Sequence, residues 1–242
     1  MSIKFWEGPS EINGAIVMAY LSGEISPSTN RKTGPALQVG VMLKDMHPSE
    51  AAKTGDDFAT CGDCQLRPSI HKAAKAEGNA VGDDPCYVKL FFKGAQHKSL
   101  VKSKCKPKLA QAYVEDADFV RFGEYGNMSA IPREVIEPML KSAKKWTLYE
   151  HEWRRPENQW LRYYALASVH STEERLEAKS MGWRTFRIIN PGEGRVSGEI
   201  VCPYVTHEVQ CIGCGLCNGA DGVIQALKPT PYIVKDIAIP SH

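Results

Sequence analysis

The chain has no apolar run long enough to span a bilayer, and its opening residues carry no signal-peptide pattern. It also lacks an excess of either charge. Thirty basic residues against 28 acidic ones leave a formal net charge of +2, which excludes a generally basic nucleic-acid coat and leaves any such contact to local patches. The glycine-rich upstream part of a phosphate loop is missing, so Asn30-Arg31-Lys32-Thr33-Gly34 reads as a turn, with an anion site as the sharper alternative. At 242 residues the chain can bury a core without disulfide staples. Together these absences lead to the expectation of a protein with no membrane contact, in reducing cytosol, where spaced cysteines bind metal more often than they pair.

What the chain does have is eight cysteines, half of them within sixteen residues. Cys202 precedes Cys211, Cys214 and Cys217, and the last three form a C-x2-C-x2-C run. Four thiolates, three closely spaced and one nearby, can hold the four iron corners of a [4Fe-4S] cluster. Zinc also takes four thiolates, but its sites more often separate two C-x2-C pairs by a long loop. The third close cysteine favours iron–sulfur, and zinc is the alternative. A second group, Cys61, Cys64 and Cys86, offers three ligands. It reads as a second metal site or as donors shared with the first, with Cys105, His71, His97 or a non-protein group as the fourth ligand. Buried thiols without metal are the plain alternative for lone cysteines, and Cys105 suits it.

Strand patterns at 37–43, 86–92, 118–122, 146–149, 164–168, 184–189 and 198–201 are interleaved with helix patterns at 131–144 and 171–182. Ser171 and Glu174 have the spacing of a capping box. This alternation implies right-handed crossovers and a parallel sheet. The expected fold is α/β: a (β/α) barrel or partial TIM-like barrel over residues 36–242, with an N-terminal extension over 1–35 and a metal-binding loop at 202–217. Chemistry in such a fold gathers on the loops after the strands. Glu124, Tyr125, His151, Glu152, Trp153, Ser168, His170 and Asn190 are expected on that rim, around the cysteines. Glu124, His151, Glu152 and His170 are the acid–base candidates, with solvated or capping roles as the bland reading.

Between Lys89 and Lys108 stand seven lysines and no acidic residue. Lys98, Lys102, Lys104, Lys106 and Lys108 could neutralise phosphates and give salt-dependent DNA binding. The competing reading is a solvated helix face.

Lys32-Thr33-Gly34, Cys61-x2-Cys64, Cys86-Tyr87, Arg121-Phe122-Gly123-Glu124-Tyr125-Gly126, Gly182-Trp183-Arg184-Thr185-Phe186-Arg187 and the C-terminal cysteine run together resemble a family of phage and prophage proteins. That family is similar to a degenerate radical S-adenosylmethionine barrel, and some members are labelled replication-associated. The resemblance implies a virus-encoded [4Fe-4S] protein in the host cytoplasm, contacting DNA in phage replication or genome processing, with a non-catalytic or redox-responsive cluster. The chain departs from true radical enzymes, which carry C-x3-C-x2-C early in the barrel and leave one iron open. Four cysteines here would saturate the cluster; without Cys202 an iron opens again. Two alternatives stand beside this reading: an iron–sulfur redox enzyme, radical-type or not, acting on a small molecule or nucleotide, and a zinc-stabilised nucleic-acid-binding protein.

Overall fold

The structure, a computed structural model, describes residues 2–23, 30–77, 86, 88–90, 93–190, 192–219 and 235–240. Strands β1 (Ser2–Pro9), β2 (Ile16–Ser22) and β3 (Leu37–Leu43) pair antiparallel in order. Strands β4 (Val120–Phe122) and β5 (Trp146–Thr147) extend that sheet in parallel from β3. A second, all-parallel sheet runs β6 (Tyr149–Glu150), β7 (Leu166–Val169), β8 (Thr185–Ile189), β10 (Asp236–Pro240) and β9 (Glu199–Val201).

Only Leu148 separates β5 from β6. Its N–H donates to the Cys217 carbonyl at 3.0 Å, and its own carbonyl accepts from Leu166 at 3.1 Å. Residues 146–150 therefore pair with one sheet through their first half and the other through their second. The cysteine loop is bound by its backbone at that seam.

The mixed α/β expectation holds, but no closed barrel forms among the described residues. Strands β1 and β9 end the strand orders, and the antiparallel β1–β2–β3 meander stands where a barrel needs a parallel closing partner. Residues 1–35 hold two complete strands, β1 and β2. Ile3 and Phe5 of β1 are buried with Val17, Ala19 and Leu21 of β2 in the main core. Of the strand expected at 86–92, the described residues Cys86 and 88–90 are not in strand conformation, and residues 87, 91 and 92 lie outside the description.

Helices α1 (Pro48–Thr54), α2 (Phe58–Cys61), α3 (Pro68–Ala76), α4 (Lys93–Lys102) and α5 (Pro107–Asp116) connect β3 to β4. Helix α6 (Arg133–Ser142) follows β4 and runs through Pro138 without ending there. Helix α7 (Thr172–Ser180) opens on the expected cap, with Ser171 Oγ accepting the Glu174 N–H at 3.1 Å. The period of two in the strands then separates two faces. Val120, Phe122, Leu148, Ala167 and Val169 pack with Val114, Ile136, Leu140 and Ala178 of α5, α6 and α7. Arg121, Thr147, Tyr149, Ser168, Phe186 and Ile188 have the opposite parity and face the cysteines.

The order of β8, β10 and β9 is fixed by buried charge. Arg187 donates to both carboxylate oxygens of Glu199 at 2.8 and 2.9 Å, and Arg175 pairs with Asp236 at 2.7 Å. Removing one partner of such a buried pair costs about 3–5 kcal/mol.

Glu150 is a buried carboxyl of another kind. It accepts from Ser129 Oγ at 2.8 Å and from the Glu152 N–H at 2.9 Å, and burial raises its pKa from 4.5 to about 7. The protonated form fits the fold better, so its contribution is fully present below about pH 4.5 and is lost as pH rises through about 7. The loss is on the order of 3 kcal/mol. Glu150→Gln should therefore gain thermal stability relative to wild type as pH rises from about 5.5 to 8. A stability difference that does not change with pH would refute this.

Candidate metal centre and adjoining cavity

Strand β9 delivers Cys202 at its carboxyl end, where the Cys202 N–H donates to the Ala238 carbonyl of β10 at 2.8 Å. Helix α8 (Pro203–His207) leads to α9 (Cys211–Cys214), which ends on Gly215 in the left-handed conformation. Cys202, Cys211, Cys214 and Cys217 all line one small cavity of about 20 Å³, walled by Trp146, Tyr149, Leu216 and Ile237.

Two devices hold this loop. Arg184 is buried and donates to the carbonyls of Gly219, Leu216 and Lys235 at 2.7, 2.9 and 3.0 Å. On the other side, the turn at Asn30 closes as Asn30 Oδ1 accepts the N–H groups of Lys32 and Thr33 at 2.9 and 3.1 Å. The carbonyls of Lys32 and Thr33 then accept from the Cys211 and Ile212 N–H groups at 2.9 and 3.1 Å. Gly34, at φ +73, lets the turn press against Ile212.

The N-terminal group is built from the end of α2. Gly62, at φ +54, reverses the chain between Cys61 and Cys64, and the Glu152 carboxylate occupies the space a Cβ would need. That carboxylate accepts the Asp63 N–H and pairs with Arg155. Arg67 donates to Asp57 at 2.7 and 2.9 Å and to the Gly62 carbonyl at 3.3 Å. Asn127 donates its side-chain N–H to the Cys61 carbonyl at 2.8 Å, so its Oδ1 faces His151 Nδ1 at 2.7 Å and accepts from it.

These cysteines open on a larger cavity of about 270 Å³. Cys61, Cys64 and Cys86 line it together with Cys211, Lys32, Arg121, Glu124, Tyr125, Asn127 and His151. Thr147, Tyr149 and Cys211 belong to the walls of both cavities, so Cys211 faces the same cavity as Cys61, Cys64 and Cys86. Glu124 is committed, accepting from the Tyr20 hydroxyl and pairing with Lys93. Burial lowers the His151 pKa to about 3, so it stands in the cavity as a neutral imidazole.

The thiols sort electrostatically into three and four. Burial pushes Cys61 up to about 12 and Cys64 well above its ordinary value, with Cys86 adding to both. Burial also pushes Cys217 up to about 12, Cys211 and Cys202 adding. Cys211 is raised by burial and opposed by Lys32, while Cys202 and Cys214 add. Thiolates in such surroundings need a positive centre, which a bound metal supplies. No group of three or more His, Cys, Asp or Glu side chains among the described residues is drawn together tightly enough to hold one metal ion.

The other candidates separate. His97 is buried with Nε2 at 3.0 and 2.9 Å from the Leu43 and Lys44 carbonyls, which occupies it away from the cysteines. Cys105 is exposed, and neither it nor His71 lines either cavity. Of the expected rim, Glu124, Tyr125, His151 and Ser168 reach the large cavity. Glu152 pins the C-x2-C turn instead, Trp153 is in the main core, and Asn190 bonds Glu193. Lys98, Lys102, Lys104, Lys106 and Lys108 are exposed on α4, α5 and their connection.

Sequence reasoning gave no role to Arg121, Asn127, Thr147 or Arg184. The signal for Arg121 lay in Val120-Arg121-Phe122, since a charge inside a parallel strand needs a polar reason to be there. No protein-family model, no curated protein and no solved structure matches the chain.

Proposed function

We propose that the chain is an iron–sulfur enzyme acting on a small molecule. Cys202, Cys211, Cys214 and Cys217 would hold a [4Fe-4S] cluster, and Cys61, Cys64 and Cys86 a second metal group. The observation that carries this reading is the shared cavity of about 270 Å³, where Cys61, Cys64 and Cys86 meet Cys211, Arg121 and His151. Concave space beside thiols and converging polar groups is the usual form of a small-molecule site.

The four thiols that line one cavity supply the thiolate count of a [4Fe-4S] cluster, whose ligands stand at separate iron corners. A lone zinc ion would have to draw the same sulfurs to about 2.3 Å from one point. In the N-terminal group three protein thiolates leave a coordination position over, the feature that separates catalytic from closed metal sites. His151, oriented by Asn127 and kept neutral by burial, is the group that would hydrogen-bond a substrate there.

Anaerobic iron analysis of Cys64→Ser and Cys214→Ser tests the division. Each variant should lose a different part of the iron, and the double variant nearly all of it. Wild-type iron content in Cys64→Ser would leave the large cavity without metal and sink the enzyme reading.

A second reading, DNA contact in a phage-encoded role in the host cytoplasm, draws on the exposure of Lys98, Lys102, Lys104, Lys106 and Lys108. None of them is ion-paired among the described residues. Alanine at Lys98, Lys102, Lys104 and Lys106 should weaken DNA binding and lower its salt slope by roughly one for each phosphate left without its lysine. Unchanged affinity and slope would make this a solvated surface.

A further inference from the structure

We infer that the large cavity binds its substrate by an acidic group, a carboxylate or phosphate, held by Arg121, Lys32 and Thr147. The inference rests on the enzyme reading and names the substrate class for it.

Arg121 and Thr147 are register partners on β4 and β5, so their side chains leave the sheet side by side on the cavity face. Among the described residues the Arg121 guanidinium has neither a hydrogen bond nor an ion pair, though the residue is half-buried. Thr147 is 3 % exposed, and its buried Oγ1 has the Tyr149 hydroxyl as a polar neighbour. The planar guanidinium beside it is shaped for an oxyanion.

Lys32 brings a second cation to the same wall. Its ammonium lies 5.7 Å from the centre of the Phe186 ring and has no carboxylate partner among the described residues. Among the described residues Glu124 is the one carboxylate that lines the cavity, and Lys93 already balances it. The wall thus offers two cations that have no carboxylate partner among the described residues, with a threonine hydroxyl beside them. The Cys211 N–H bond to the Lys32 carbonyl ties Lys32 to the metal-binding helix α9. Loading the C-terminal cysteines would therefore also set the position of the anion's second donor.

Calorimetric titration of the anaerobically purified protein with inorganic phosphate, and separately with malonate, tests the subsite. The preferred anion distinguishes a phosphate-bearing from a carboxylate-bearing substrate. Arg121→Gln should weaken that binding roughly tenfold or more, while Lys53→Gln, exposed on α1, leaves it unchanged. Thr147→Val is the second variant: it should weaken binding while leaving the iron content at the wild-type level. Unchanged anion binding in Thr147→Val would remove the threonine from the subsite.

Iron is measured on the same samples. Binding by neither anion, or equal binding in wild type and Arg121→Gln, overturns the subsite while leaving any iron found in place. Loss of iron in Arg121→Gln would assign the cations to balancing cluster charge and also overturn it. Anion binding, sensitive to Arg121→Gln, in a chain that carries no iron supports the subsite and removes the cluster.

Discussion

Arg184→Ala is expected to empty the C-terminal cysteine site while leaving the N-terminal sheet folded. The Arg184 guanidinium is the common donor to the carbonyls of Leu216, Gly219 and Lys235. Alanine would strand three acceptors against a buried wall, at roughly 3–9 kcal/mol in sum. That is a large part of the stability of an ordinary domain, and the Asn30 turn, which holds Cys211 and Ile212, donates to none of the three carbonyls. The loop would open, Cys217 would leave the Leu148 seam, and the cluster proposed on Cys202, Cys211, Cys214 and Cys217 would be lost.

Arg184→Lys should rescue little, because one ammonium cannot span three carbonyls set around a planar fork. Iron content and the thermal midpoint report the outcome. Arg184→Ala with wild-type iron would show that the cysteines hold their geometry without the clamp.

Gly62→Ala should do the converse, disabling Cys61, Cys64 and Cys86 and sparing the C-terminal group. The left-handed φ of +54 disfavours any side chain, and the added methyl would fall on the Glu152 carboxylate. Strain of this kind costs about 1–3 kcal/mol before the clash is counted. Glu152 cannot withdraw cheaply, since it is buried, holds the Asp63 N–H and pairs with Arg155. The expected result is partial loss of metal, a lower thermal midpoint, and retention of the metal bound by Cys214. Full metal content in Gly62→Ala would mean that the turn is not under the constraint described.

The parallel strands at β3, β4, β7 and β8 were legible because each is a short apolar run between turn signals, and the α7 cap because Ser171 and Glu174 have the required spacing. Strands β1 and β2 are obscured by their connections: Gly8 and Pro9 punctuate the hairpin and leave residues 1–35 reading as an extension. Strand β10 is a five-residue piece whose partners, β8 and β9, are set by buried ion pairs that no periodicity announces.

The cysteine groups show the same division. Spacing alone grouped Cys211, Cys214 and Cys217, and a strand end placed Cys202 beside them. Nothing local could bring Cys61 and Cys64 to the cavity shared with Cys211, because that needs the sheet to carry Arg121, Thr147 and Tyr149 between them. The closed barrel failed for a related reason. Alternating strands and helices specify parallel neighbours, but closure depends on the first and last strands, and here the first two are antiparallel.

Iron, acid-labile sulfide and zinc determined on anaerobically purified protein, with a visible spectrum, test the central claim most directly. Brown protein with about four irons and four sulfides per chain, or more, and broad absorption near 400 nm is the expected result. Colourless protein with stoichiometric zinc and no sulfide would contradict it.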